Sequence, residues 1–329
     1  MKLTVDFEVT SSLSALTSKS ALAYLLSKSS IDWLNMPLEA LICHQFGVVA
    51  APDHPVAVIA AQADGLNVLD AYWLRADPVH LIMQRDSFSL GEQIPLQIER
   101  VQAESIVASL NSHFAPTQTD CDAALPNLKF FIGHSGAWYL RLNQVPKMST
   151  TLPAIAIGKD LFQCMPQGDE SATWRAYLNE LQMLLHAHPV NLALESSGKL
   201  MVNSLWLSGG GVMPTNTSTH YDVDCVLADS AFYRGLSQWS GLPCDSLPLN
   251  LEDIFTRHAV HQHVRLQLAG TQRLNDAAFH VLLKALKTKK INALTLNIGC
   301  FEKTLTLTMN RFDTFKFWRK LKPVMEFLV

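Results

Sequence analysis

The sequence predicts an α/β protein in which an α+β domain is inserted into an α/β core. Two changes along the chain support this fold class. Near Asp70, aromatic and charged residues begin to alternate at short spacing, as in strands of a partly exposed sheet. At Val202 the chain returns to an apolar strand that runs into glycines. We therefore expect residues 1–69 and 186–329 to form the core, and residues 70–185 to form the inserted α+β domain.

The first part of the predicted core contains one strand and one helix. Residues 3–9 are typical of a strand, and the apolar residues between 13 and 26 recur at helical spacing. Residues 41–51 and 56–61 are interpreted as β-rich or core segments, separated by prolines.

The inserted domain begins with strands in 70–83, followed by a helix within 98–114. Residues 128–132 and 137–142 predict two strands joined by Gly-His-Ser-Gly, which indicates a hairpin. An amphipathic helix then runs from Trp174 to His188. Pro189 ends it, because the residue before a proline is disfavoured in the helical region.

Beyond Pro214, alternating apolar patterns predict further core elements. These are strands at 222–227 and 264–268, a helix at 276–286, a hairpin of 295–298 with 304–308, and an aromatic and basic end at 312–327.

Composition excludes several classes of protein. The 329 residues are 48% hydrophobic and 17% charged, with a net charge of −3, which is typical of a globular protein and offers no bulk charge for nucleic acid. No run approaches eighteen apolar residues, so we expect no association with a membrane. The six cysteines lack CxxC spacing, which favours reduced thiols over disulfides or a zinc knuckle. With no apolar signal core near residue 1, we expect a cytoplasmic protein.

The strongest candidate site lies where the predicted helix ends and the apolar strand begins. A histidine at the end of an apolar helix face can titrate beside a cleft, and asparagines can donate and accept without carrying charge. Glycines allow a ligand to approach the backbone. The alternative is a structural joint of caps and turns. The candidates are His188, Asn191, Asn203, Trp206, Gly209, Gly210 and Gly211.

Two arginines are candidates for supplying positive charge to that ligand. Arg75 follows Tyr72 and Trp73, and Arg141 follows a similar aromatic pair. An arginine on a sheet face can bind a phosphate with two parallel hydrogen bonds. The alternative for the first is an internal pair with Asp77, because positions i and i+2 share one face of a strand.

Other motifs are weak. His258, His261 and His263 could suggest a metal, but no nearby cysteine or glutamate completes a ligand set. Gly133 to Ala137 imitates a nucleophile elbow, but it lies between two strands. We therefore assign no metal ligands and no catalytic residues.

The region from residue 188 to 214 resembles a segment of archaeal-type, cofactor-independent phosphoglycerate mutases, which belong to the alkaline-phosphatase-like superfamily. The shared elements are His-Pro-x-Asn at 188–191, Asn-x-x-Trp at 203–206, Gly-x-Gly at 209–211 and Pro214. The chain also resembles the RpfE-type bacterial regulatory proteins, through the blocks at 76–81, 138–142, 179–191 and 203–211. The resemblance implies a degenerate alkaline-phosphatase-like core with an inserted α+β domain.

The motifs that carry catalysis in the mutases are missing from this sequence. Those enzymes hold two metal ions through an Asp-Gly-x-Gly-Asp loop, a nucleophilic serine and an Asp-Glu-Ala-Gly-His segment, whereas the first strand here carries only Asp6 and Glu8. The resemblance therefore implies a non-catalytic binding or regulatory protein without cofactors, whose ligand is a small phosphorylated or anionic molecule. The alternatives are a metal-poor phosphoester or sugar-phosphate hydrolase or mutase at the same joint, and a pure interaction protein with an unknown partner.

Overall fold

The computed structural model describes residues 1–10, 13, 16–83, 88–91, 94–115, 127–216, 220–270 and 273–328. The chain is a mixed α/β protein that divides into two compact units. Unit 1 is Met1–Phe46 with Thr217–Val329, so it is assembled from both ends of the chain. Unit 2 is Gly47–Asn216.

The strands are β1 Lys2–Glu8, β2 Ser30–Leu34, β3 Tyr72–Val79, β4 Leu81–Met83, β5 Phe88–Leu90, β6 Lys129–Ile132, β7 Trp138–Leu142, β8 Ser204–Gly211, β9 Cys225–Leu227, β10 Cys244–Asp245, β11 His263–Gln267, β12 Ala293–Cys300 and β13 Lys303–Asn310. The helices are α1 Ala21–Lys28, α2 Leu38–Gln45, α3 Val56–Ala63, α4 Arg100–His113, α5 Pro153–Ala156, α6 Ser171–His186, α7 Pro189–Ser196, α8 Ala231–Ser240, α9 Ile254–Arg257, α10 Asp276–Lys287 and α11 Met325–Leu328.

Unit 1 is built on a mixed sheet with the strand order β10-β9-β11-β1-β12-β13-β2. Strand β1 lies between β11 and β12 and is parallel to both, whereas β13 is antiparallel to β12 and β2. Alternate residues of β1, namely Leu3, Val5 and Phe7, are buried in the apolar core that includes residues of α1 and α10.

The opposite face of this sheet is polar. Thr4, Asp6 and Glu8 of β1 alternate with the core residues, so they point to the other side. The register places Arg265 of β11 opposite Thr4 and Asn297 of β12 opposite Asp6. We call this surface the polar face of unit 1.

Unit 2 contains an antiparallel sheet with the order β6-β7-β3-β8. One face packs against α4 and α6 through a core that includes Tyr72, Leu74, Trp138 and Trp174. Helix α3 contacts strands β3 and β8. The helix ends at Asp64, whose carboxylate lies beside the hydroxyl of Tyr139 on β7.

The units divide at 46/47 and 216/217, whereas the sequence predicts boundaries at 69/70 and 185/186. The difference has a physical reason on each side. Helix α3 packs on the sheet of unit 2. Strand β8, predicted to belong to the core, pairs along its length with β3.

Two segments interpreted as β-rich or core segments contribute buried residues to the core, but they contain helix and not strand. Residues 41–45 lie in α2 and residues 56–61 lie in α3, and these helices have Pro37 and Pro55 as their N-caps. Because residues 56–61 are apolar throughout, a buried helix and a buried strand have the same sequence pattern there.

Pro189 is also the first residue of a second helix, α7, which the sequence pattern did not predict. Among the described residues, no helix combines the length and apolar character that a bilayer-crossing segment needs.

Candidate functional site

All of the residues predicted to bind a ligand lie in unit 2. His188 is the N-cap of α7, and its Nδ1 accepts a hydrogen bond of 3.2 Å from the backbone N–H of Val190. Its Nε2 lies 3.0 Å from the hydroxyl of Ser109 on α4. The residue is 6% exposed. Both ring nitrogens thus have partners within the unit, which is the arrangement of a capping residue.

Burial lowers the pKa of His188, and this shift makes a testable prediction about pH. The unfolded state binds its proton at an ordinary pKa of 6.5, above that of the folded state. The contribution of His188 to stability is therefore lost as pH falls below 6.5. His188→Asn keeps a good cap but cannot titrate. We therefore expect the free energy of unfolding in urea to fall further between pH 8 and pH 5 in the wild type than in the His188→Asn variant. Equal losses of unfolding free energy in the wild type and in His188→Asn would contradict the prediction.

Asn191 connects the end of α6 to the start of β8. Its side-chain NH₂ donates to the carbonyls of Leu185 and Val202, each at 2.7 Å, and its Oδ1 accepts from the N–H of Val202 at 2.9 Å. The residue is 1% exposed. These bonds satisfy backbone groups that α6 and β8 leave open, so the side chain holds the joint together.

Asn203 makes a similar pair of bonds at the edge of the sheet. Its Oδ1 accepts from the N–H of Leu81 at 2.7 Å, and its Nδ2 donates to the Leu81 carbonyl at 2.9 Å. It precedes Ser208, the residue opposite Arg75, by five positions. At the rise of a strand this separation is about 16 Å. Asn203 and Arg75 are therefore not brought together in one small pocket.

Trp206 and the three glycines have packing roles. The indole N–H of Trp206 donates to the carbonyl of Thr151 at 2.9 Å. A Cβ on Gly211 would lie 2.5 Å from Cβ of Pro55, and one on Gly210 would lie 2.2 Å from the hydroxyl of Tyr72. Gly209 and Gly211 thus allow the residues that start α3 to approach β8, and Gly210 leaves room for Tyr72 of β3.

The charged candidates share one face of the sheet in unit 2. The register places Arg75 opposite both Ser208 of β8 and Tyr139 of β7, and Asp77 opposite Trp206. The guanidinium of Arg75 contacts Ser208 Oγ at 3.4 Å, and its Nε lies 4.0 Å from Asp77 Oδ2. The predicted internal pair of Arg75 and Asp77 is present, and it reduces the positive charge that Arg75 could offer to an anion.

Arg141 lies on β7, on the same face of the sheet, and its guanidinium has different contacts from that of Arg75. Its guanidinium lies 5.4 Å from the ring centre of Phe131, and the ammonium of Lys129 lies 5.5 Å from the same ring. The register pairs Lys129 with Arg141 on neighbouring strands. Arg141 is half-buried and Lys129 is exposed. We call Arg141, Lys129 and Phe131 the basic patch of unit 2.

The polar face of unit 1 contains a buried charged network that the sequence did not reveal. Nε of Arg265 donates to Asp6 Oδ2 at 2.5 Å, and its Nη2 donates to Asp6 Oδ1 at 3.1 Å. The side chain of Asn297 also donates to Asp6 Oδ1, at 2.7 Å. Asp6 is 0% exposed and Arg265 is 2% exposed. Both carboxylate oxygens of Asp6 are therefore held by donors within the unit.

Glu8 lies at the carboxyl end of β1, two residues beyond Asp6 and on the same face of the strand. It is exposed, yet desolvation by its surroundings, with the charges of Glu39 and Asp6, raises its pKa to about 7. Its carboxylate lies over Gly299, where a Cβ would be 1.9 Å from Glu8 Oε2. In the sequence, the polar residues Thr4, Asp6 and Glu8 alternate along one predicted strand, which indicates a polar face. The sequence could not show which residues of β11 and β12 lie beside them, because those strands are far away in the chain.

The comparisons with known proteins concern the fold. No protein-family model and no curated protein matches the chain. It is similar to the cofactor-independent phosphoglycerate mutase from Thermoplasma acidophilum, with 14% identity over 94% of this chain and 89% of that chain and a TM-score of 0.41. It is also similar to the PH0037 protein from Pyrococcus horikoshii, with 13% identity over 94% and 87% and a TM-score of 0.48. At these identities the similarity describes the chain path and carries no information about ligand or activity.

Proposed function

We propose that this chain is a phosphoglycerate-mutase-like protein that binds a small phosphorylated or anionic ligand in a regulatory role, without two-metal phosphoryl transfer. The RpfE-type sequence blocks motivate the regulatory part of the proposal. The absence of the metal-binding motifs from the sequence motivates the non-catalytic part.

The state of Asp6 is the observation that carries the proposal. Two-metal phosphoryl transfer requires carboxylates whose oxygens can coordinate metal ions at the substrate. Asp6 instead accepts three hydrogen bonds from Arg265 and Asn297 and is completely buried. A metal ion would have to displace a buried guanidinium, which leaves that charge without its partner.

The basic patch of unit 2 is the best candidate for holding the ligand's charge. The cations of Arg141 and Lys129 both lie close to the ring of Phe131, and among the described residues neither has an ion pair with a carboxylate. The planar guanidinium of Arg141 can donate two parallel bonds to a phosphate, and Lys129 adds a second charge. The other candidates, His188 and Asn191, use their polar atoms inside the unit.

Arg141→Ala tests the proposal. A charge-assisted hydrogen bond contributes about 1.5–3 kcal/mol, so we expect at least tenfold weaker binding of phosphoglycerate by calorimetry. Arg100→Ala, which removes an exposed arginine of the same unit, is the matched control and should leave binding unchanged. The wild type should show no mutase or phosphatase turnover with or without Mn²⁺. Turnover that depends on Mn²⁺, or equal affinities of the two variants, would contradict the proposal.

A second candidate function is favoured by Glu8. A carboxyl group with a pKa of about 7 is suited to general acid–base catalysis near neutral pH. Glu8 lies at the carboxyl ends of parallel strands, where ligands of α/β proteins commonly bind. The alternative is therefore a metal-poor phosphoester hydrolase that uses Glu8 as its acid or base.

Glu8→Gln separates the two functions. If Glu8 is catalytic, phosphoesterase turnover should fall by about 10²–10⁴ and its pH dependence near pH 7 should disappear. Stability gives an independent measurement. The raised pKa means that the folded state holds its proton more tightly, so the wild type should lose stability as pH rises from 4.5 through 7. The variant should lack this loss. A wild type without turnover, tested on phosphomonoesters and phosphodiesters, would remove the alternative.

A further inference from the structure

A cluster of potential metal ligands lies in unit 1, where the fold brings a cysteine that is distant in the sequence to two of the histidines for which no nearby cysteine was found. One ligand atom from each of Cys225, His258 and His261 lies within 4.8 Å of the other two. Cys225 and His258 are buried, whereas His261 is partly exposed. A thiolate with two imidazoles is a donor set that suits Zn²⁺ in proteins.

The fold builds this cluster from two separate parts of the chain. Cys225 is the first residue of β9 and is 0% exposed. His258 follows the last residue of the short helix α9, and the backbone N–H of His261 donates to its carbonyl at 3.1 Å. The carboxylate of Asp224 accepts from the N–H groups of Gln262 and His263 at 2.7 and 2.8 Å. These bonds hold the loop that carries both histidines beside the strand that carries the cysteine.

The distances fit a tetrahedral ion. Sγ of Cys225 lies 3.9 Å from Nδ1 of His258. Bond lengths of about 2.3 Å to sulfur and 2.0 Å to nitrogen place two tetrahedral ligands roughly 3.5 Å apart, so a shift of a few tenths of an ångström is sufficient. The two imidazole rings are stacked at 24°, with their centres 6.0 Å apart.

Asp245 can supply the fourth ligand. Its Oδ2 lies 3.9 Å from the same Nδ1 of His258. Asp245 pairs with Leu227 on the neighbouring strand, and Leu227 is on the same side of β9 as Cys225. The carboxylate therefore lies on the face that holds the cluster, and its exposure leaves it free to turn toward an ion.

This cluster is distinct from the carboxyl-end region that contains Glu8. Cys225 pairs with Val264, which pairs with Leu3 near the start of β1. Glu8 follows Leu3 by five positions along the strand, a distance of about 16 Å. The cluster therefore takes no part in either proposed function.

We propose that Cys225, His258, His261 and Asp245 form a four-coordinate zinc site that joins strands β9 and β10 to the loop after α9. On binding, the thiol proton of Cys225 leaves to solvent and the thiolate sulfur coordinates the ion. A site with four protein ligands is closed to substrate, so its role is structural. The bound ion fixes an edge of the sheet that is otherwise held by short strands.

The test is binding of zinc alone to the full chain, kept reduced. We expect one equivalent of Zn²⁺ in competition with a chromophoric chelator, and Co²⁺ substitution should give a tetrahedral spectrum with a thiolate charge-transfer band. His261→Asn and Cys225→Ser should abolish stoichiometric binding, and Asp245→Asn should weaken it about 10–100-fold. Zn²⁺ should raise the Tm of the wild type but not that of the ligand variants.

Two variants act as matched controls. Cys244→Ser removes a cysteine on the neighbouring strand, and His280→Asn removes an exposed histidine of the same unit. Both should bind zinc as the wild type does. His261 is only partly buried, so its variant keeps the test decisive even if Cys225→Ser fails to fold. The proposal is overturned if the reduced wild type takes up no stoichiometric zinc, if His261→Asn binds it normally, or if Cys244→Ser loses it.

Discussion

Arg265→Ala is expected to lower the free energy of unfolding by about 3–5 kcal/mol. The guanidinium of Arg265 is buried and donates to both oxygens of Asp6, which is also buried. Removing the arginine leaves the carboxylate without its charged partner, while the side chain of Asn297 still donates to it. An uncompensated buried charge is costly because the interior cannot solvate it.

Urea or thermal unfolding of unit 1 variants measures this effect. The matched control is Arg257→Ala, which breaks an exposed pair with Asp253 at 3.4 Å and should cost no more than about 1 kcal/mol. The double variant with Asp6→Ala should lose less free energy of unfolding than the sum of the two single variants, because it contains no unpaired buried charge at this position. Equal effects of Arg265→Ala and Arg257→Ala would show that the buried network is not a determinant of stability.

Asn191→Ala is expected to have an effect of similar size, a loss of about 3–5 kcal/mol in the free energy of unfolding. The change leaves three buried backbone groups, the carbonyls of Leu185 and Val202 and the N–H of Val202, without their side-chain partner. Each such group costs about 1–3 kcal/mol when it is deprived of a hydrogen bond. Because Asn191 is 1% exposed, water cannot replace the lost bonds without a rearrangement of the joint.

Asn203→Ala is the matched control for this prediction. Asn203 bonds both backbone groups of Leu81 but is only half-buried, so solvent can replace part of what is lost and a smaller effect is expected. Chemical unfolding gives the comparison. If Asn191→Ala unfolds at the wild-type denaturant concentration but no longer binds phosphoglycerate, Asn191 is a ligand-binding residue and the structural interpretation is incorrect.

The candidate site was only partly predictable from the sequence. Local patterns placed Arg75 and Asp77 on one face, because strand periodicity alone decides which residues point the same way. They also located Asn191 and Asn203 at a joint. The local patterns could not decide whether those side chains bind a ligand or the backbone, because an asparagine can do either. The outcome depends on which backbone groups the neighbouring helices and strands leave without a hydrogen bond.

The sequence by itself determined the α/β class, the Gly133–Gly136 hairpin and the long helix α6, because each depends on contacts between residues close in the chain. Only the tertiary structure decided the rest. Asp6 and Arg265 are 259 positions apart, and Cys225 and His258 are 33 apart. Such pairs are created by strand order and register, which arise from how the whole sheet buries its apolar face rather than from any local pattern.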